Sequence, residues 1–125
     1  MLLPVDEVIE GVQGGKLEFE IALVDENGRP VDTNVYDAFK ICIRKTATTT
    51  LTVSQIANVN GSVMTKVGVP ETGVFKVVIN PVDSLTLEVK ERQDIDFEMK
   101  ETADATNVIR AVFSDRLSIF KTSCT

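Results

Sequence analysis

Histidine and tryptophan are absent from this chain, tyrosine occurs once and cysteine twice in 125 residues. Without histidine the usual general base at neutral pH and a common zinc ligand are both missing, which excludes Ser-His and Cys-His nucleophile pairs. Two cysteines alone cannot complete a structural zinc site within one chain. Cys42 falls inside an expected strand and Cys124 one residue from the end, where chains are usually mobile. Two free thiols are favoured there, with a disulfide between them left open, and such sparse cysteine suits a reducing cytoplasm. Basic residues are few as well, 13 against 19 acidic, for a net charge of −6. That balance repels phosphate backbones and anionic lipid, so neither nucleic acid nor a membrane is expected as partner. No apolar run approaches the roughly 20 residues of a membrane-crossing helix. The opening Met1, Leu2 and Leu3 is interrupted by Pro4, Asp6 and Glu7, and is expected to be neither a signal peptide nor an anchor.

What is present is a composition of ordinary globular proportions, 43% apolar and 26% charged, at the length of one domain. Val, Ile and Thr are frequent and helical periodicity is scarce, which predicts an all-β class. The clearest alternation is KLEFEIALV, where Leu17, Phe19, Ile21 and Leu23 share one face while Lys16, Glu18 and Glu20 share the other. A turn at 25–30 follows, with Asn27 and Gly28 suited to positive φ and Pro30 ending the strand. Further strands are expected at 36–45, 51–56, 63–69, 74–79, 94–101 and 108–114. Asp115 and Arg116 then mark a kink or bulge before Leu117, Ile119 and Phe120 resume the apolar pattern. Between 79 and 94 a short helical insertion near 80–86 is predicted, with Asn80 as N-cap, Pro81 at the first helical position and Asp83 complementing the helix dipole. Strand character is expected to resume at 86–89, with KERQ as a connector. Seven or so short strands separated by turns describe an antiparallel β-sandwich.

The domain reading is an N-terminal arm at 1–15, a sandwich at 16–121 and a tail at 122–125. The arm carries Leu2, Leu3, Val5, Val8, Ile9 and Val12, too apolar for a solvated tail. It is read equally well as an edge strand or frayed terminus, or as a set of assembly contacts with another subunit.

Little in the chain is suited to catalysis. Asp94 and Asp96 share a strand face and are the one candidate carboxylate pair, but a solvated outer face accounts for such a pair far more often than acid-base work. Asp25, Asn27 and Gly28 lack the later bidentate Glu of a calcium loop, and the threonines at 46–50 lack the glycines and lysine of a phosphate cradle. No catalytic residue, cofactor or metal is expected. With Tyr36 alone and most of the phenylalanines at expected core positions, aromatic platforms for sugars are missing too. Protein–protein contact through sheet edges and termini remains.

The order DENGRPVD, YDAFKICIRK, TGVFKVVINPVDSLTLEV and DIDFEMKE resembles the small immunoglobulin-like domain at the N-terminus of phage baseplate upper proteins and related tail-fibre proteins. The likeness spans roughly 16–121. It implies an immunoglobulin-like β-sandwich acting as a virion structural protein, made in the host cytoplasm, with other virion proteins and copies of itself as partners. It further implies that Asp25, Gly28, Pro30 and Asp32 form a turn and that Asn80 and Pro81 open the insertion. A single domain with no coiled coil is expected, which keeps capsid decoration or a neck role beside tail, baseplate or fibre attachment. A soluble glycan- or peptide-binding module is the alternative of another class.

Overall fold

Residues 17–24 alternate in burial as they alternate in polarity: Leu17, Phe19, Ile21 and Leu23 lie in the core while the residues between them face outward. The computed structural model of the chain describes residues 2–4 as backbone and residues 8–121 in full. The strands are β1 (Leu2–Pro4), β2 (Ile9–Val12), β3 (Leu17–Asp25), β4 (Tyr36–Arg44), β5 (Thr50–Ser54), β6 (Val63–Lys66), β7 (Val74–Ile79), β8 (Lys90–Glu101) and β9 (Val108–Phe120). A single helical turn, α1 (Pro81–Ser84), connects β7 to β8.

The strands form two sheets, ordered β1-β3-β7-β6 and β2-β9-β8-β4-β5. This is the ABED sheet facing the GFC sheet of immunoglobulin domains, with β2 added beside the G strand and β5 beside the C strand. All pairs among the described residues are antiparallel except β2 with β9, which runs parallel. The expected insertion is therefore a crossover between layers: β7 belongs to one sheet and β8 to the other.

Immunoglobulin domains commonly pin their sheets with a disulfide packed on a tryptophan. Here phenylalanines occupy the centre. Phe75 of β7 reaches across the layers to Phe39 of β4 and Phe97 of β8, with ring centroids 4.9 and 5.4 Å apart, and Phe97 meets Phe113 of β9 edge-on at 6.3 Å. Tilted and edge-on pairs at these separations add to simple burial because ring edges meet ring faces. Phe75 is fully buried, as are Leu23, Ile41, Met64 and Ile95 around it.

Three local expectations change. Residues 86–89 are not a strand, and KERQ, expected as a connector, begins β8 instead. The strand accommodates it through register shifts between Lys90 and Ile95, with Arg92 at φ 55°. The helix is also shorter than expected, and Asn80 makes no side-chain cap. Its amide is committed elsewhere: Asn80 Nδ2 donates to the Asn60 carbonyl at 2.7 Å. The kink at 115 is present as a left-handed residue, Asp115 at φ 58°, inside a continuous β9.

One glycine is required by close approach. At Gly73, with φ 65°, an added Cβ would stand 2.7 Å from the Val31 carbonyl oxygen and 2.9 Å from that of Leu23. Neither oxygen can retreat, because each belongs to backbone that the turn itself fixes: Leu23 N donates to Gly73 O and Val31 N to Leu23 O.

Candidate interaction surfaces

The outer face of the five-stranded sheet is built from the residues that the core alternation leaves over. Lys40, Cys42 and Arg44 on β4 stand beside Asp94, Asp96 and Glu98 on β8, and Arg110 and Val112 on β9 continue the row. Glu98 lies between two cations, 3.9 Å from Lys40 Nζ and 3.2 Å from Arg110 Nε. At one end of this face the bulges of β8 and β9 meet and open a groove of about 330 Å³. Asp94 Oδ1 accepts the Asp115 N–H at 3.0 Å, and Ser118 Oγ accepts the Arg92 N–H at 3.0 Å. These two bonds hold the left-handed backbone of Arg92 and Asp115, a conformation that non-glycine residues adopt only when their surroundings impose it.

The chemistry of that groove is mixed charge. Arg44, Lys90 and Arg92 alternate around it with Glu88, Asp94 and Asp96. The candidate pair Asp94 and Asp96 does sit here, but both side chains are exposed and Asp94 is taken up by the Asp115 amide. Alternating solvated charges match a polar protein surface better than a ligand of one sign. Cys42 stands half-buried on the same face with its Sγ 3.5 Å from Thr52 Oγ1, while Cys124 lies outside the described residues.

A second polar cluster was only partly visible in the sequence. Asp83 is 6% exposed and accepts hydrogen bonds from Asn58 Nδ2 at 2.8 Å, Asn60 Nδ2 at 2.7 Å and the Ser62 hydroxyl. Burial alone pushes a carboxyl up, but these three donors, helped by the charge of Lys45, hold Asp83 below its ordinary value. The role expected for Asp83, complementing a helix dipole, is thus joined by a larger one: it ties the 58–62 turn to α1. By residue type alone Asn58, Asn60 and Gly61 mark a turn and nothing more. No periodicity links them to a residue more than twenty positions away, so the sequence carried no signal for the knot.

The six residues expected as assembly contacts fall in different places. The backbone of Leu2 and Leu3 belongs to β1, paired with β3, and Val5 lies outside the described residues. Ile9 packs against the core of its own chain. Val8 and Val12 remain exposed, at 39% and 46%. Val12 is the register partner of Phe120, itself 36% exposed, so these two present an apolar strip at one end of the outer face. Sequence reading missed the exposed pair Ile56 and Val59, which follow β5 and lie 74% and 97% exposed.

No family model and no curated protein matches the chain. Among solved structures 62 chains match. One comes from a structure on the basis of T cell specificity and activation by the bacterial superantigen toxic shock syndrome toxin-1, with TM-score 0.54 and 3% identity over 96% of this chain and 98% of that one. Murine CRIg is similar over 98% of each chain, with TM-score 0.48 and 16% identity. A chain of a titin M10 and obscurin-like 1 Ig complex gives TM-score 0.47 and 8% identity over 99% of this chain and 95% of that one. Identities this low speak to fold alone; the strand order above, with the first of these likenesses, makes the chain an all-β, immunoglobulin-like sandwich.

Proposed function

We propose that the chain is a non-enzymatic structural protein of a phage virion, a tail, baseplate or fibre attachment component that works through protein–protein contacts. The likeness of its motif order to baseplate upper proteins motivates the virion assignment. The observation that carries the non-catalytic, contact-forming part is the outer face of the β2-β9-β8-β4-β5 sheet. Its groove gathers solvated charges of both signs, with the one candidate carboxylate pair exposed and half committed to a backbone amide. Such a face recognises another polypeptide by complementary charge and leaves no shielded position for proton transfer.

The test is immunogold labelling of particles from the phage source with an antibody raised against the purified chain. Gold at the tail, baseplate or fibre supports the reading. Gold spread over the capsid or at the neck replaces the attachment role by decoration or a connector. Chain found only in the soluble fraction overturns the virion role, and binding on a glycan or peptide array would then favour a ligand-binding module.

A further inference from the structure

We infer that β5 is a self-association edge, on which a second copy of this chain adds its own β5 in antiparallel register about a two-fold axis centred on Thr52. This deepens the assembly role proposed above and rests on it for its purpose, though its test is separate. The register of β4 with β5 shows which backbone groups are spent. Gln55 N donates to Phe39 O and Lys45 N to Thr49 O, and hydrogen-bonded pairs alternate along an antiparallel ladder. Leu51 and Val53 therefore bond to Ile43 and Ile41. Thr50, Thr52 and Ser54 turn their N–H and C=O groups away from β4, and β5 is the outermost strand of its sheet.

That edge lacks the devices by which the others are blunted. β1 contains Pro4, which has no N–H, and β2 carries Glu10. β6 ends in Lys66, whose ammonium is drawn onto the carbonyls of Thr33 and Tyr36 at 2.9 Å each. β5 is TLTVS, with no charge and no proline.

The segment is also complementary to itself. With Thr52 on the axis, Thr50 opposes Ser54 of the second copy, so hydroxyl side chains pair with hydroxyl side chains on one face while Leu51 and Val53 stay on the core side. The nearest charges opposite those positions, Lys40 and Arg44, sit one strand inward on β4. Across the axis β4 and its symmetry mate are about 14 Å apart at the usual strand spacing, beyond a Debye length of about 8 Å in physiological salt. Like-charge repulsion between these cations thus opposes the contact only weakly. Ile56 and Val59, exposed just past the strand, supply apolar surface beside it. A single strand edge is small against the roughly 1,600 Å² of a standard stable interface, so the dimer is concentration-dependent in solution and reinforced where copies are held together on a particle.

Two measurements on the purified full chain test this. Sedimentation velocity across a hundredfold concentration range should show a monomer to dimer shift. Thr52→Lys places like charges face to face on the axis, and Thr52→Pro deletes an N–H that β4 does not use; each should weaken dimerisation at least tenfold. Thr65→Lys, an exposed position on the β6 edge, should leave it unchanged. Amide hydrogen exchange supplies a residue-level readout: Thr50, Thr52 and Ser54 should become protected on concentration, while Leu51 and Val53 are protected throughout. The reading is overturned by a wild type that stays monomeric, by a dimer that both Thr52 variants retain, or by amides at 50, 52 and 54 that exchange freely in the dimer. A monomer that labels virions sinks the edge pairing and spares the virion role. A β5 dimer that labels none does the reverse.

Discussion

Two regions hold the layers of this sandwich in register by opposite means. At the centre, Phe75 is wedged between Phe39 and Phe97 by ring-to-ring packing. At one end, Asp83 gathers Asn58, Asn60 and Ser62 by hydrogen bonds, and Asn80 closes back on Asn60. The centre is non-directional and tolerates small shifts. The knot is directional, and it depends on a charge being present.

The largest effect should come from breaking the apolar centre. Phe75→Ala removes the ring that touches both neighbours and should cost about 4 kcal/mol, read as a lowered midpoint in urea denaturation. Gly73→Ala comes next, because the new methyl meets two fixed carbonyl oxygens at a positive φ; a loss of about 3 kcal/mol is expected in the same assay. Asp83→Ala leaves three donors without their shared acceptor and should cost about 2 kcal/mol. It should also loosen the 58–62 turn selectively, raising amide exchange there before the core is affected.

A change of pH separates the two regions without mutation. The Asp83 carboxyl is held below its ordinary value of 3.8, so near that pH the unfolded chain binds more protons than the folded one. Its contribution is fully present above 3.8 and is lost as pH falls through the lower folded value. Stability measured from about pH 6 down to about pH 2 should therefore decline less in Asp83→Asn than in wild type, whereas Phe75→Ala should follow the wild-type slope. The smallest effect is expected on the opposite outer face. Lys76 lies 2.5 Å from Glu18, but both are well exposed and screened, so Lys76→Ala should give a denaturation midpoint barely separable from wild type.

The comparison also shows what a sequence can disclose. The phenylalanine centre was legible because each ring sits on an alternating strand, and alternation assigns a face before any partner is known. Strand limits at 74–79 and the bulge at 115 were legible for the same reason. The knot was not, because hydrogen bonds between a turn and a helix more than twenty residues apart leave no period. The helical insertion is visible through Asn80 and Pro81, yet local pattern marks Asn80 as a cap while its amide serves a turn from elsewhere. KERQ reads as a connector in the sequence because bulges break the alternation that marks a strand.

The apolar N-terminal residues give the same lesson. Their composition left an edge strand, a frayed terminus and an assembly contact equally open, and Ile9 is covered by the core of its own chain, while Val8 and Val12 are left at the surface. Composition by itself determined the all-β class, the shortage of catalytic groups and most of the core, since these depend on residue type and on a period of two. Only the folded chain decided which strands became edges, which polar groups met across the layers, and where β5 left its amides unspent. Those are outcomes of long-range pairing, which local pattern does not encode.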